Sequence, residues 1–139
     1  MASISLTSTL IRPLERAIVQ PYRAGAALTV GYAVYLDDDG YVQHADADAS
    51  EAASRGMGIV VSGKDVETAV NSGDRCSVCV HGHVGGFASM TPGEPVYVSA
   101  TVGRIDQTQP TSAYRQALGR AESATVLFVN PDVADPSSS

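Results

Sequence analysis

The stretch from Asp74 to Val84, DRCSVCVHGHV, holds the side chains of this sequence that are most capable of chemistry. Cys76, Cys79, His81 and His83 form a C-x-x-C-x-H-x-H pattern, and thiolates and imidazoles are the ligands that zinc prefers. A zinc site takes both cysteines of such a pair from a tight knuckle, so that both sulfurs point at one ion. Whether the four side chains can converge therefore depends on the backbone that carries them.

The sequence predicts that this backbone is a strand. Cys76 shares one parity with the three valines of the stretch, whereas Cys79 shares the other parity with both histidines. Alternation with period two is typical of a half-buried strand, whose successive side chains point to opposite faces. The two thiols then point in opposite directions and cannot bind one ion.

His81 and His83 remain the metal candidates, because two strand residues that share a face lie about 6.5 Å apart. They would need a third ligand, and His44 is the other histidine of the chain. The alternative is that both are polar residues on a strand that faces solvent or another subunit. We favour this alternative, and we predict no bound metal and no other cofactor.

Other catalytic patterns are missing from the sequence. It contains no G-x-S-x-G, P-loop or H-E-x-x-H motif. The DDDG of Asp37–Gly40 resembles the start of a calcium loop, but the later ligands, including the distal Glu, are missing, which favours a hairpin turn. Cys76 and Cys79 lack the helix N-terminus that would lower a thiol pKa, so they are expected to be small strand residues. We therefore predict no catalytic residues and no enzyme.

Length and charge limit the class of partner. The 139 residues suit one domain, and 15 acidic against 9 basic residues give a net charge of −6. A nucleic-acid surface needs clustered Lys and Arg, so we predict no nucleic-acid partner. No apolar run approaches the roughly 20 residues that cross a bilayer, so we predict no membrane contact. Two cysteines and no secretory signal predict synthesis in a cytoplasm that keeps thiols reduced.

Glycine and proline recur about every ten residues, with short Val-, Ile- and Tyr-rich runs between them, which is typical of many short strands. Residues 32–36 and the run from Tyr41 predict a hairpin around Asp39-Gly40. The runs GMGIVVSG and ATVLFVN predict strands that are buried on both faces. The best helical candidates are STLIRPLERAIV, interrupted by Pro13, and DASEAASR.

The hairpin occurs twice. The first copy, Leu28 to Val42, aligns with the second copy, Met90 to Ile105, with one extra residue in the second turn. The ordered match makes coincidence the weaker explanation, and a repeated β unit favours a compact sandwich or a partly closed barrel. The matched positions are Thr29 and Thr91, Gly31 and Gly93, Val34-Tyr35 and Val96-Tyr97, Gly40 and Gly103, Val42 and Ile105, and Gly56 and Gly119.

The sequence thus predicts an all-β chain in three parts. Residues 1–23 form an extended N-terminal arm, residues 24–131 form the β-rich domain, and residues 132–139 form a disordered tail. The apolar residues of the arm are candidate contacts to a partner, and the alternative is that the arm folds onto its own core. These candidates are Ile4, Leu6, Leu10, Ile11 and Leu14.

Between Ala24 and Asn130 the chain resembles the capsid decoration (cement) proteins of tailed bacteriophages. The resemblance is carried in the first half by Leu28-Thr29, Gly31, Val34-Tyr35, Asp39-Gly40, Val42, Ala45-Asp46-Ala47, Gly56 and Gly58. In the second half it is carried by Thr91-Pro92-Gly93, Pro95–Val98, Gly103 and Gly119. These are turn and strand motifs, so they bear more directly on fold than on function.

The resemblance implies a non-enzymatic structural protein on the capsid exterior of the virion. It further implies a homotrimer that bridges subunits of the major capsid protein and stabilises the shell. Two alternatives stay open at this point. One is another virion β module, such as a fibre or tail component, and the other is a metal-binding, cupin-like small-molecule protein that uses His81 and His83.

Overall fold

The described part of the protein is built of strands, which confirms the all-β class. A computed structural model describes residues 4–6, 11–14, 17–46, 56–61, 69–99, 102–107, 114–115, 117–130 and 137–138. No helix long and apolar enough to cross a membrane occurs in these ranges. The strands are β1 Ser5–Leu6, β2 Arg12–Pro13, β3 Ile18–Ala24, β4 Leu28–Thr29, β5 Ala33–Leu36, β6 Tyr41–His44, β7 Gly58–Val61, β8 Ala69–Val70, β9 Arg75–Gly85, β10 Phe87–Ala88, β11 Pro95–Val98, β12 Ile105–Asp106, β13 Tyr114–Arg115, β14 Ala117–Ala121, β15 Val126–Val129 and β16 Ser137–Ser138.

The first copy of the hairpin belongs to a closed ring of five strands. β5 pairs with β6 and with β7, β7 pairs with β9, and β9 pairs with β3. The ring closes where β3 runs parallel to β6, with Ala24 opposite Val42. Such a closed arrangement removes the unpaired strand edges that an open sheet leaves.

The second copy of the hairpin belongs to a row of strands that does not close among the described residues. β12 pairs with β11, β11 with β14, β14 with β15, and β15 with β9. The long strand β9 is therefore shared, because its first half pairs with β7 and its second half with β15. The prediction of a partly closed barrel is confirmed: one copy of the hairpin lies in the closed part and the other copy lies in the open part.

The structure confirms the repeat at the level of backbone conformation. Gly31 and Gly93 both have positive φ, at 98° and 86°, and Gly40 and Gly103 do so at 86° and 76°. Glycine suits these turns because it lacks the Cβ atom that disfavours positive φ in other residues. The equivalent valines of the two copies, at positions 34 and 96, are fully buried.

One alignment of the repeat is wrong. The sequence pairs Gly56 with Gly119, but in the sheet it is Gly58 that lies opposite Val34, as Gly119 lies opposite Val96. Gly58 and Gly119 also share a reason to be glycine. A Cβ on Gly58 would overlap the carbonyl oxygen of Cys79, and a Cβ on Gly119 would overlap that of Phe128.

The core runs through both halves and consists mostly of valine, isoleucine and leucine, the residues that fill a pleated sheet well. Gln107 is the buried polar residue among those described. The eleven largest fully buried side chains are Ile4, Leu28, Ile11, Val30, Val34, Val42, Ile59, Val60, Val61, Leu118 and Leu127. Two of them, Ile4 and Ile11, come from the predicted arm.

The ends of the chain differ in part from expectation. The predicted helix over STLIRPLERAIV is wrong where the structure describes it, because Arg12–Pro13 is a strand and Ile18 begins the seven-residue strand β3. β3 pairs with β9, so residues 18–23 belong to the sheet. The second helical candidate, DASEAASR, lies outside the described residues. In the predicted tail, Ser137–Ser138 pairs with Tyr114–Arg115, and the other tail residues are not described.

Candidate functional site

The two cysteines are buried residues of β9, and both remain as thiols. The predicted strict alternation is broken between Cys79 and His81. Ile18 pairs with His81 and Val19 pairs with Cys79, so Val80 is an extra residue in β9. The Sγ of Cys79 lies 3.6 Å from the carbonyl oxygen of His81. Burial raises the pKa of the Cys79 thiol, which suits an inert packing residue and not a nucleophile.

Both histidines lie close to the same aromatic ring, that of Phe128. Phe128 is opposite His83 in the pairing of β9 with β15, and its ring lies 5.0 Å from that of His83 and 5.4 Å from that of His81. His83 Nε2 also lies 3.7 Å from Glu122 Oε1. Within the described ranges, no group of three or more His, Cys, Asp or Glu side chains could hold a metal ion.

His44, the possible third ligand, has a structural role. Its Nε2 accepts a hydrogen bond of 3.0 Å from the backbone N–H of Thr29, so the proton of the neutral ring is on Nδ1. The ring of Tyr32 packs against it at 5.0 Å. Partial burial lowers the pKa of His44 and favours the neutral form that this hydrogen bond requires.

The second copy contains an equivalent bond that the sequence did not reveal. The Oε1 of Gln107 accepts a hydrogen bond of 2.7 Å from the N–H of Thr91, and its Nε2 donates to the carbonyl of Thr91 at 2.8 Å. Thr29 and Thr91 are matched positions of the repeat, and each bonding side chain comes two residues after the matched pair Val42 and Ile105. The difference of residue type, His against Gln, hid the equivalence from the alignment.

The acidic turn uses its first carboxylate locally. Asp37 Oδ1 accepts hydrogen bonds from the N–H groups of Asp39 and Tyr41, at 2.9 and 3.0 Å, and Oδ2 accepts one of 2.7 Å from Gln43 Nε2. The bond from Gln43, followed by the backbone bonds, lowers the pKa of Asp37. This arrangement is that of a hairpin turn stabilised by its own side chain.

The apolar residues of the predicted arm separate into two groups. Ile4 and Ile11 are 1% exposed, and Leu6 packs against the same core. Leu14 is 38% exposed, and Leu10 lies outside the described residues. In the single chain the N-terminal segment thus contacts its own core, while Leu14 faces outward.

Leu14 is part of an exposed apolar surface, which we call the β9 face and define as Leu14, Ile18, His81, His83 and Phe128. The N–H of Leu14 donates to the carbonyl of His83 at 2.8 Å, and Ile18, 48% exposed, lies opposite His81. Residues directly opposite each other in a sheet share a face, so these side chains form one surface across three strands.

Two charged groups border the β9 face. Arg120 lies opposite Phe128, with its guanidinium carbon 5.2 Å from the ring centre, and Arg120 Nη2 is 3.0 Å from Glu122 Oε1. The predicted burial of ATVLFVN on both faces is wrong for this strand, since its burial alternates and leaves Phe128 half-buried. Residues 126–129 are all apolar, so no alternation in the sequence marks Phe128 as the outward residue.

The comparison with known families gives the class of the protein. A sequence profile of the structural cement protein family of phages (E217 gp24/Pam3 gp6) matches residues 9–131. The match covers most of the 139 residues, so the chain belongs to this family and is a structural protein of a phage virion. No curated protein matches the chain. The resemblance carried by the turn and strand motifs is therefore confirmed.

Proposed function

We propose that this protein binds the outer surface of a phage capsid, contacts the major capsid protein and stabilises the shell without catalysing a reaction. The β9 face carries the proposal. Three of its residues present exposed or half-buried apolar side chains, Leu14, Ile18 and Phe128, and Arg120 stands beside them. Aromatic residues and arginine are enriched in the centres of protein interfaces, whereas an isolated surface Leu or Ile is ordinary.

The proposed attachment is by a homotrimer, made in the host cytoplasm and located on the outside of the particle. The trimer and the major capsid protein as partner come from the resemblance to decoration proteins. A trimer presents the β9 face three times, so weak contacts act together and the overall affinity exceeds that of one contact.

The N-terminal segment, residues 1–23, takes part in this attachment as the proposed arm. Ile4, Leu6 and Ile11 hold the segment on the body of its own chain, and Leu14 presents the outward contact. Leu10 is a further proposed contact of the segment. Deleting residues 1–14 would remove two fully buried isoleucines, and such a loss costs about 2–5 kcal/mol per side chain. A deletion would therefore confuse folding with attachment, so point substitutions at exposed positions test the arm better.

The test uses phage heads that lack the decoration protein and measures co-sedimentation. The double variant Leu14→Ser/Ile18→Ser should bind at least about tenfold more weakly, as expected when two exposed aliphatic contacts of an interface are lost. Leu36→Ser/Val102→Ser is the matched control, because it removes two aliphatic side chains that are 49% and 52% exposed elsewhere on the chain. The control should bind like the wild type.

Two further observations could contradict the proposal. Electron microscopy should place the density over the shell, and density at the tail would favour a fibre or tail component. The mass in solution should be that of three chains, and a monomer would remove the homotrimer from the proposal. Equal binding by the β9-face variant and its control would show that this face is not the contact.

A further inference from the structure

Arg23 and Arg75 lie directly opposite each other at the end of the closed ring. They are a register pair of the antiparallel strands β3 and β9, and both side chains are exposed. Tyr41, 43% exposed, lies next to Arg23 on the parallel strand β6. Like charges directly opposite in a sheet destabilise the pairing, so the fold gains nothing from this arginine pair.

Neither arginine finds a carboxylate within the described part of the chain. The ion pairs there join Glu122 to His83 and Arg120. Arg23 Nη1 donates one hydrogen bond of 3.1 Å to the carbonyl of Gly73, which orients its guanidinium. Each guanidinium has five N–H donors, so most of the donors at this end of the ring point to solvent.

The two arginines line a shallow pocket together with Pro21 and Tyr22. The pocket has a volume of about 190 Å³, below the roughly 300–1,000 Å³ of sites that enclose a small-molecule ligand, so it suits a single side chain. Tyr22 is partly buried and packs against the core, which fixes one wall of the pocket. The pocket therefore presents two planar guanidinium cations beside an apolar wall.

We propose that this pocket accepts an Asp or Glu carboxylate of the capsid subunit, an inference that rests on the proposed function. The planar fork of arginine matches a carboxylate with two parallel hydrogen bonds, and two forks on neighbouring strands can hold it from both sides. The carboxylate neutralises the repulsion that the free chain carries. A second copy of the chain is a less suitable source of the carboxylate, because two chains that each carry a net charge of −6 repel each other.

The first experiment measures binding of variants to heads that lack the decoration protein. Arg75→Gln should bind about tenfold more weakly, and Arg23→Gln/Arg75→Gln about a hundredfold, since a hydrogen bond to a charged group is worth roughly one factor of ten or more. Arg75→Lys keeps the charge but loses the fork, so its affinity should lie between those of Arg75→Gln and the wild type. Ala124→Glu, on an exposed bend, lowers the net charge by the same one unit as Arg75→Gln and should bind like the wild type.

A second measurement separates binding from folding. Because the two guanidiniums repel, Arg75→Gln should keep or raise the midpoint of thermal unfolding while its affinity for heads falls. A lower midpoint with unchanged affinity would make Arg75 a structural residue and overturn the assignment. The assignment would also be overturned if the double variant bound heads with wild-type affinity.

The remaining outcomes distinguish this site from the proposed function. If the wild-type protein fails to bind heads, the proposed function fails, and the assigned partner fails with it. If the wild type binds and the double variant changes its mass in solution, the carboxylate comes from a second copy of the chain, and the assignment to the capsid subunit is wrong.

Discussion

The two copies of the hairpin have the same local conformation and different surroundings. The first copy lies in a ring that closes through the parallel pairing of β3 with β6, whereas the second lies in an open row that ends at β12 among the described residues. The turn glycines, the buried valines and the bond to the threonine N–H recur in both. The repeated sequence thus determines the hairpin, and the segments outside the repeat determine whether a ring forms.

The turns at the ends of the two hairpins also differ in their surroundings. A Cβ on Gly40 would meet nothing within 4 Å, whereas Gly103 lies against the rings of Tyr32 and His44. The N–H of Gly103 donates to the carbonyl of Ala45 at 2.6 Å, and its own carbonyl accepts from Ala33 at 2.9 Å. The end of the second hairpin therefore joins the two halves, while the end of the first projects into solvent.

The largest expected effect comes from the glycines that face a neighbouring backbone. Gly58→Ala and Gly119→Ala each force a Cβ onto a carbonyl oxygen, so strands must move apart. A closed ring cannot widen at one place only, so we expect a loss of about 3 kcal/mol for Gly58→Ala and about 2 kcal/mol for Gly119→Ala, measured by urea unfolding. Gly85→Ala is the control, because its Cβ would make an ordinary contact of 3.7 Å with Leu14. Equal losses in the two halves would show that closure adds no rigidity.

A smaller effect is expected at the turns before the hairpins. Gly31 and Gly93 have equivalent positive φ, but a Cβ on Gly31 would lie 2.9 Å from Ile11 Cγ1 and 3.0 Å from Leu6 Cδ1, whereas Gly93 has open space. Alanine at positive φ costs about 1 kcal/mol in either turn. We expect about 1 kcal/mol more at Gly31, because the N-terminal segment must move.

This difference also tests the docking of the N-terminal segment. In thermal unfolding the midpoint of Gly31→Ala should lie below that of Gly93→Ala. If the two variants unfold alike, the packing of Ile11 and Leu6 on the first turn does not contribute to stability in solution.

The smallest effect concerns the hydrogen bonds of His44 and Gln107. The pKa of His44 is lowered by burial below 6.5, so its contribution to stability is complete above pH 6.5 and is lost as the pH falls through the pKa of the folded state. Gln107 does not titrate. His44→Gln, which copies the second half, should change stability at neutral pH by no more than about 1 kcal/mol and should flatten the decline at acid pH.

The measurement is the free energy of unfolding between about pH 7.5 and about pH 5, a range that spans the usual pKa of histidine. His81→Gln is the control, since it removes an exposed imidazole whose described contact is the ring of Phe128. A decline in the His44→Gln variant as steep as in the wild type would assign the acid sensitivity to other groups.

Much of the fold could be predicted from local patterns. Alternation and Gly placement predicted the hairpin at Asp39-Gly40 and its second copy, because turn chemistry is local. The run GIVV of β7 is buried on both faces as predicted, since all four of its residues are buried. The ring itself could not be predicted, because it depends on the parallel pairing of Ala24 with Val42, which no local pattern specifies.

The errors have physical causes as well. The extra residue Val80 in β9 shifts the pairing, so Cys79 is buried although its parity predicted an outward side chain. Phe128 was predicted inside because apolar runs do not reveal which face they cover. Pro13 in a strand escaped notice because β2 is only two residues long and pairs with one end of β9.

The length of β9 has a mechanical consequence. Its eleven residues extend for about 36 Å, and its two halves hold β7 and β15 respectively. Tension that pulls the two halves apart along this strand acts perpendicular to the interstrand hydrogen bonds, so the bonds on each side are sheared together and do not open one by one. We expect the chain to resist stretching in this direction as a single rod, to which both hairpins are joined through intervening strands.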